Sequence, residues 1–408
     1  MIARRLRIGY TCHDAFPSTH TNTQQIFWTL SEMARLGHTV DVCVPAVAGG
    51  AAADAAIARH YGEQGGGPPA LRFLPMSTHE ARGSLAKGWF DLRAPFHHAR
   101  GHHDLIWTRD PFALVAAVRT GVPTIFETYR PDFATASAFA PWRHVARGAG
   151  SFAGVIAHSA LAADALVDAG VPRPQVLVAH NGCAPSLMQP VLDRAEARAL
   201  TGLPGDRPLL VYTGHVGPQK GTDALIALAA GLPQARLVIV GVDPASGDGR
   251  WIDDRARQAG ATNIVLRPRV DVAAVAPYLY AADCLVIPPT DEPLRRYGRT
   301  VLPMKVFSYL AAARPIVAPA LPDIAEVLMH DETAVLVPPG DAKVAATMVA
   351  DLLADEPRAA RLAKAAAGLS HRYTWRARAE RISSWLLGLE PIARASAVRG
   401  SAVSPPVR

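Results

Sequence analysis

A turn with three glycines and one lysine carries the clearest chemistry in this sequence, and it spans Tyr212–Thr222. Gly214 and Gly217 let the backbone approach a ligand closely. Lys220 lies where its ammonium reaches the same ligand, and His215 is a second donor that is cationic only when protonated. These residue types at this spacing indicate a site for a phosphate-bearing anion.

The flanking elements explain why the turn would attract an anion. An apolar strand pattern, Leu209–Tyr212, precedes it, and a helical pattern, Asp223–Ala230, follows it. The free N–H groups and the positive dipole end of that helix favour an anion. The turn lacks the sequence G-x-x-x-x-G-K followed by Ser or Thr, so it is not a P-loop. Taken alone, these residues leave an ordinary β–α turn with a solvated lysine as the alternative.

Strand and helix patterns alternate along the whole chain, which predicts parallel sheets covered on both faces. The strand patterns are Arg7–Tyr10, Thr39–Val44, Leu71–Leu74, Leu105–Thr108, Thr124–Glu127, Ala153–Ala157, Gln175–Val178, Pro208–Thr213, Ala235–Val240, Asn263–Leu266, Cys284–Ile287, Pro315–Ala318 and Ala334–Val337. The stretch Val47–Ala70, rich in Gly and Ala, is interpreted as a surface insertion or flexible loop.

A break in this rhythm at Leu187–Pro208 divides the chain. We predict two β/α domains, residues 1–186 and 187–373, with a helix at about 374–388 that completes the first. The segment 391–408 carries three Arg and no acid, and we expect it to be a disordered tail.

Composition limits the function classes. The chain has 408 residues, of which 50% are hydrophobic and 19% charged, so it can form two cores and has too little charge for long disordered stretches. The net charge of +7 suits a phosphate-bearing small molecule or an anionic membrane surface. Basic residues are scattered without interleaved aromatics, so we expect no nucleic-acid partner.

The cysteines and the N-terminus predict a cytoplasmic protein. Cys12, Cys43, Cys183 and Cys284 are too widely spaced for a disulfide framework or a zinc site. Met1–Gly9 is not followed by a long apolar segment, and no stretch has the ~20 apolar residues of a spanning helix. Peripheral membrane contact stays open.

An ordered series of segments after the turn resembles a known family. The segments are Ala281–Pro288, Pro303–Ala312, Arg314–Ala318, Leu321–Leu328 and Val335–Asp341. With the Tyr212–Thr222 turn, they resemble the C-terminal donor domain of retaining glycosyltransferases of family four, and the N-terminal half is similar more loosely. The resemblance implies the α/β GT-B fold, with two Rossmann-like β/α/β domains facing each other across a cleft.

The resemblance also implies a reaction and its partners. It implies an enzyme of hexosyltransferase type that transfers a sugar from a nucleotide-diphosphate donor, by default a UDP-sugar, with retention of anomeric configuration. The acceptor is an unidentified small molecule, glycan or lipid. No metal and no cofactor are expected, and the nucleotide sugar is a co-substrate. Lys220, His215 and the helix N-terminus would hold the charge of the leaving diphosphate.

Positions that match the family give the candidate site. The catalytic candidates are Lys220, His215 and Glu127. The donor-binding candidates are Gly214, Gly217, Gly221, Val270, Thr300, Lys305 and Ser308. The acceptor-side candidates in the cleft are Thr21, Asn22, Thr23, Arg109, Tyr129 and Asn181.

Departures from the family pattern leave two other functions open. Thr300 and Ser308 stand where relatives usually carry two Glu residues, the second of which contacts the ribose. A hydroxyl there replaces a charge-assisted bond of ~1.5–3 kcal/mol with one near ~1 kcal/mol. A non-catalytic GT-B homologue that acts as a partner subunit, or a GT-B sugar epimerase, would also fit. Without Glu at positions 300 and 308, Lys220 and His215 must supply more of the donor binding, so this binding should weaken as His215 loses its proton.

Several candidates have a structural alternative. Glu127 is either a sugar-facing carboxylate or a structural hydrogen-bonding group, and Tyr129 stands where many relatives have a His. Lys305 either binds the donor or is a surface lysine in the first turn of a helix. Thr23 either lines the acceptor site or caps the following helix.

A dense group of histidines, His97, His98, His102 and His103, raises metal binding as an alternative. Only His98 and His102 have the i,i+4 spacing that places two ligands on one helix face. We therefore expect no metal site there.

Overall fold

The computed structural model describes most of the chain. The described residues are 4–18, 20–45, 57, 60–61, 71–76, 83–129, 148–292, 295 and 302–395. Contacts divide the chain into two compact units: unit 1 is Met1–Asn181 with Trp375–Arg408, and unit 2 is Gly182–Thr374. The donor-binding candidate Thr300 and residues 396–408 of the expected tail lie outside the described residues.

Unit 1 alternates strands and helices. It begins with β1 (Arg7–Thr11), α1 (Thr21–Arg35), β2 (Thr39–Val44), β3 (Leu71–Pro75), α2 (Ser84–Arg100), β4 (Leu105–Thr108) and α3 (Pro111–Val118). It continues with β5 (Thr124–Thr128), β6 (Phe152–Ala157), α4 (Ala160–Asp168) and β7 (Val176–Val178). The strands form a parallel sheet in the order β3-β2-β1-β4-β5-β6-β7. The order reverses between β1 and β4, and sheets of this kind bind ligands outside the carboxyl ends of such strands.

Unit 2 repeats this architecture. Its elements are α5 (Arg194–Thr201), β8 (Leu209–Thr213), α6 (Thr222–Ala230), β9 (Arg236–Val240), α7 (Gly247–Ala259), β10 (Ile264–Arg267) and α8 (Ala276–Tyr280). They continue with β11 (Cys284–Val286), α9 (Lys305–Ala311), β12 (Ile316–Pro319), β13 (Val335–Val337), α10 (Ala342–Ala354) and α11 (Glu356–Ser370). The parallel sheet has the order β10-β9-β8-β11-β12-β13, which reverses between β8 and β11.

The strands form because their apolar runs are buried on both faces. Every residue of β4 and β6 is buried, as expected for central strands of a parallel sheet. The predicted strand patterns are confirmed to within one residue at each end. The prediction of two Rossmann-like domains is likewise confirmed. Among the described residues, no helix is both long and apolar enough to cross a bilayer.

The helix α12 (Trp375–Gly388) completes unit 1. It lies against α1 and buries Trp375 and Leu386. A Cβ on Gly154 of β6 would lie 2.8 Å from Cη2 of Trp385, so glycine is what allows the close approach of this helix. The sequence predicted a helix at about 374–388 in this role.

The first residues of the expected tail are ordered. Residues 391–395 are helical, and Ile392 is fully buried. Arg4 Nη2 donates to the Ala393 carbonyl at 2.8 Å. Burial of Ile392 therefore extends unit 1 past residue 390.

The stretch expected to be a surface insertion contributes to the core at Tyr61. This residue is 1% exposed, and its ring stacks on that of Phe27 with centroids 4.8 Å apart. Its hydroxyl donates to the Ser18 carbonyl at 3.2 Å. Most of Val47–Ala70 lies outside the described residues.

Two of the four clustered histidines are packing residues. His98 Nε2 donates to the Tyr10 carbonyl at 2.9 Å, and the ring fills the space beside Gly9. His103 Nδ1 donates to the His98 carbonyl at 2.8 Å, and its Nε2 lies 2.7 Å from Asp41 Oδ2. These contacts join α2 and the residues just after it to β1 and β2.

The buried His98 predicts acid sensitivity of unit 1. Burial lowers the pKa of His98 to about 3, whereas an unfolded histidine titrates near ~6.5. The unfolded state therefore binds more protons between these values, so stability falls as the pH drops through this window, with a contribution of about 1.4 kcal/mol per pH unit.

Urea unfolding at several pH values measures the slope of the unfolding free energy against pH. This slope should be smaller for His98→Asn than for wild type. The exposed neighbour variant His97→Asn should keep the wild-type slope, and an unchanged slope in His98→Asn would contradict the assignment.

Candidate functional site

The turn that follows β8 has a backbone that only glycine adopts readily. The φ angle is +134° at Gly214, +133° at Gly217 and +73° at Gly221. A Cβ on Gly221 would also lie 2.5 Å from Thr290 Cγ2 in the loop after β11. We call residues 214–221 the glycine turn. Its three glycines are thus required by backbone conformation, and Gly221 also by close packing.

Hydrogen bonds fix the shape of the glycine turn. The Gly214 N–H donates to the last carbonyl of β9 at 2.9 Å, and the Tyr212 hydroxyl donates to the His215 carbonyl at 2.6 Å. The Gly217 N–H donates to the Thr222 hydroxyl at 2.9 Å, which joins the turn to the first residue of α6. These bonds fix the backbone of the turn and attach it to the N-terminus of α6.

Lys305, the first residue of α9, places its ammonium beside this turn. Its Nζ lies 3.6 Å from the centroid of the Tyr212 ring, and 3.2 Å from where a Cβ on Gly214 would stand. The helix is held in place because the Thr213 N–H donates to the Tyr309 hydroxyl at 3.0 Å. Glycine at position 214 therefore avoids crowding this ammonium over the tyrosine ring, where a cation–π contact stabilises it.

The charge on Lys305 has no counter-charge. Burial lowers the pKa of Lys305 well below its ordinary value, and the nearby Lys220 ammonium lowers it further. Within the described part of the chain, no carboxylate or hydrogen-bond acceptor pairs with the Lys305 ammonium. Two like charges held close together with a partly buried member attract an anion. This environment differs from that of a solvated surface lysine, which was the alternative interpretation of Lys305.

The catalytic candidates Lys220 and His215 lie on the same turn. Lys220 ends the short 3-10 helix Pro218–Lys220, and its side chain is exposed. His215 is also exposed. The structure therefore brings these two side chains and Lys305 to one end of the unit 2 sheet.

The remaining donor-binding candidates have mixed placements. The Ser308 hydroxyl donates to the Lys305 carbonyl at 3.1 Å, one turn along α9. Val270 is partly buried and packs against the core of unit 2. Of these candidates, Ser308 is the one that contacts Lys305 directly.

In unit 1, the catalytic candidate Glu127 lies in a buried ion network. Its Oε1 accepts from Arg109 Nη2 at 2.5 Å and from Arg378 Nη2 at 2.6 Å, and it lies 2.6 Å from His158 Nε2. Burial opposes ionisation of Glu127, but these three groups outweigh it and hold its pKa well below the ordinary value. Burial lowers the pKa of His158 to about 3, so this histidine is neutral. Glu127 is 1% exposed, which favours the structural hydrogen-bonding role over the sugar-facing role.

The acceptor-side candidates surround this network. Arg109 Nη1 donates to Asn22 Oδ1 at 2.7 Å, and Asn181 Nδ2 donates to His158 Nδ1 at 3.4 Å. The Tyr129 ring lies 6.2 Å from the His158 ring.

The two threonines of the acceptor-side set at the start of α1 differ in exposure. Thr21 is exposed, whereas Thr23 is fully buried and donates to the His20 carbonyl at 2.9 Å. Thr23 therefore holds the start of α1, and Thr21 is free of such packing.

Arg378 is the member of this network that sequence reasoning missed. It lies on α12, 251 positions after Glu127, and is 4% exposed. A signal existed, because Arg378 occupies a core-facing position in the helical spacing of Trp375, Ala379 and Ile382. A basic residue at such a position requires a buried acid or carbonyls as partners.

A second polar cluster at the reversal point of the unit 1 sheet was also missed. His13 Nδ1 lies 3.1 Å from Asp91 Oδ2 and 3.2 Å from Asp110 Oδ1, and the three ligand-type atoms lie within 4.8 Å of one another. Asp14 nearby accepts from Asn22 and from Lys87. The half-buried His13 therefore presents an imidazole at the carboxyl end of β1, where an acceptor hydroxyl can be bound or relieved of a proton.

Comparison with protein families covers both units. Residues 25–187 match Glycosyltransferase Family 4, and residues 207–355 match Glycosyl transferases group 1. The chain belongs to glycosyltransferase family four. It is therefore a glycosyltransferase, as the resemblance predicted.

Relatives and solved structures agree with this family. The chain is 29% identical to the D-inositol 3-phosphate glycosyltransferase of Xylanimonas cellulosilytica over 70% of its own length and 72% of that protein. It is 28% identical to the protein of the same name from Stackebrandtia nassauensis, over 77% and 73% of the two chains.

Two solved structures show the fold. HepE (Alr3699) of Anabaena, in complex with UDP and glucose, has a TM-score of 0.69 and 18% identity over 94% of this chain and all of that one. Sucrose-phosphate synthase from Thermosynechococcus elongatus has a TM-score of 0.70 and 20% identity over 98% of this chain and all of that one. The predicted GT-B fold is confirmed.

The ion network predicts the effect of removing the negative charge of Glu127 while keeping the shape of its side chain. Glu127→Gln leaves two buried guanidiniums without their carboxylate, and breaking such a buried pair costs about 3–5 kcal/mol. Urea unfolding should therefore show a large loss of stability, whereas Glu380→Gln, on the exposed face of α12, should change stability by less than about 0.5 kcal/mol. A Glu127→Gln protein with wild-type stability and lost turnover would instead assign Glu127 a sugar-facing role.

The unpaired ammonium predicts a gain of stability with a loss of binding. Lys305→Met removes a partly buried cation without an acid partner, so thermal unfolding of unit 2 should shift upward by about 2–4 °C for each kcal/mol gained. Affinity for inorganic diphosphate, measured by calorimetry, should fall by about tenfold or more. Lys364→Met, on the exposed face of α11, should alter neither quantity. A destabilised Lys305→Met protein with intact diphosphate affinity would make Lys305 a structural residue.

Proposed function

We propose that this family four glycosyltransferase transfers a hexosyl group from a UDP-sugar, with retention of anomeric configuration and without a metal ion. The observation that carries the proposal is the unpaired Lys305 ammonium beside Lys220 and the glycine turn. The diphosphate of a nucleotide sugar bears two negative charges at neutral pH, which two ammonium groups match.

The lysines act where charge develops. In the transfer, the acceptor hydroxyl oxygen bonds to the anomeric carbon and releases its proton to water, while the bond between that carbon and the terminal phosphate oxygen breaks and its electron pair stays on the phosphate oxygen. The diphosphate gains charge in this step, so Lys305 and Lys220 bind the transition state more tightly than the bound donor. Loss of one such preorganised donor typically lowers turnover by about 10²–10³-fold. Side-chain cations thus supply the charge stabilisation that a metal gives in other transferases.

The nucleoside end of the donor is assigned to α9. Because the Ser308 hydroxyl donates its proton to the Lys305 carbonyl, its lone pairs stay available to accept from a ribose hydroxyl. The HepE complex with UDP and glucose supports uridine as the base, because that protein has the same fold. Retention is inferred from the family.

Unit 1 supplies the acceptor side in this proposal. Its polar residues lie at the carboxyl ends of β1 and β4, around Arg109 and the half-buried His13. D-inositol 3-phosphate, the substrate named for the relatives, therefore leads the panel of acceptors to be tested.

A transfer assay tests the proposal. UDP- and GDP-sugars are incubated with the acceptor panel, with EDTA or with added magnesium, and the product anomer is assigned by NMR. We expect a UDP-sugar to be used equally well with EDTA, with retained configuration, and Lys220→Ala and Lys305→Met to lower kcat/KM by about 10²-fold or more. The Lys364→Met control should keep wild-type turnover.

Each part of the proposal has its own contrary outcome. Activity that EDTA removes and magnesium restores would overturn metal independence, and an inverted product would overturn retention. Preference for a GDP-sugar would reassign the base. If calorimetry detects no binding of either UDP or GDP, the chain would be a non-catalytic member of the family.

A further inference from the structure

The outer face of α2 concentrates exposed apolar side chains. Leu85 is 92% exposed, Trp89 64%, Leu92 41% and Phe96 42%. These are four of the nine large hydrophobic residues found exposed in the described part of the chain. Their spacing of four, three and four residues places them along one stripe of the helix. A scattered exposed apolar residue is ordinary, whereas a contiguous stripe marks an interaction surface.

The other exposed positions of α2 are basic or apolar. Ala86, Arg93, His97 and Arg100 share the outer face with the stripe. Arg93 Cζ lies 5.9 Å from the Trp89 ring centroid, so a guanidinium borders the apolar stripe. The helix has one carboxylate, Asp91, which is 2% exposed and bonded to His13 on the inner face. The described outer face therefore bears positive charge and no negative charge.

The inner face holds the helix rigidly. Phe90 and Ala94 pack with Cys43 of β2, and His98 is bonded to β1. Lys87 pairs with Asp14 at 3.3 Å. The stripe is thus a surface of a well-anchored helix, separate from the core that α2 itself completes.

We propose that the outer face of α2 is a membrane-binding surface that takes an anionic phospholipid bilayer. A helix with an apolar face bearing Trp, Leu and Phe, flanked by basic residues, lies in the bilayer interface and buries its apolar side chains about 5–10 Å deep. Arg93 and Arg100 then meet anionic headgroups, each contributing about 1 kcal/mol near such a surface. The chain's net charge of +7 adds to the attraction. A helix face with no carboxylate fits an anionic lipid surface by charge as well as by hydrophobicity.

Vesicle sedimentation tests the proposal with the full-length protein. Vesicles of phosphatidylcholine alone are compared with vesicles that also contain phosphatidylglycerol, at low and high salt. We expect binding to the anionic vesicles that salt weakens. Trp89→Ser with Phe96→Ser should reduce binding by about tenfold or more, because each large apolar side chain contributes at least that factor on burial. Arg93→Glu with Arg100→Glu should reduce it and remove the preference for phosphatidylglycerol.

Matched controls separate the surface from general effects. Val191→Ser with Leu200→Ser removes two equally exposed apolar residues from unit 2 and should bind as wild type. All variants should keep the wild-type thermal unfolding midpoint, since the altered side chains are exposed. Wild-type protein that does not sediment with anionic vesicles, or a Trp89/Phe96 double variant that binds as wild type, would overturn the proposal. A dimer seen by analytical ultracentrifugation and abolished by that double variant, without vesicle binding, would reassign the face to self-association.

Discussion

The proposed donor site of unit 2 depends on a positive charge that the fold leaves unpaired. Lys305 is held over the Tyr212 ring, 3.6 Å from its centroid, with the Lys220 charge nearby and no acid among the described residues beside it. The glycine turn favours this arrangement, because a Cβ at position 214 would lie 3.2 Å from the ammonium and crowd it. An unpaired cation costs stability in the empty protein, and either loss of its proton or a bound anion relieves that cost. The turn and α9 therefore form one candidate site.

In unit 1, by contrast, the buried charge has oppositely charged partners. Glu127 is enclosed by Arg109, Arg378 and a neutral His158, so its charge is compensated inside the unit. This network joins α12 to the end of β5, because Arg378 lies on α12 and Glu127 lies on β5. Near the reversal of the sheet, His13 and its two carboxylate partners form a separate polar cluster. The two units thus share an architecture but differ in how they place charge: unit 2 leaves the Lys305 ammonium without an acid partner among the described residues, whereas unit 1 pairs Glu127 with two arginines.

Much of this structure can be predicted from local patterns in the sequence. The strand runs follow from continuous apolar burial, and the positive φ angles of the glycine turn follow from glycines spaced between a strand and a helix. The proximity of Lys305 to that turn came from the family resemblance, because nothing local relates residues 214 and 305. The Glu127–Arg378 pair joins positions 251 apart, and His13, Asp91 and Asp110 come from three separate elements. Contacts of this kind are fixed by the packing of whole elements, so single-sequence periodicity does not contain them.

The number of protons taken up when UDP binds tests the central claim most directly. Calorimetric titrations at a series of pH values between about 7.5 and the ordinary lysine value of ~10.4, in buffers of different ionisation enthalpy, measure this number, and the phosphates of UDP are ionised throughout that range. Because the Lys305 pKa is lowered in the empty site, an anion that pairs with it must raise that pKa. The account predicts net proton uptake by the wild-type protein at the pH values where the empty site has lost the Lys305 proton, and none at those values in Lys305→Met. Tight UDP binding with no proton uptake, or with proton release, would contradict it.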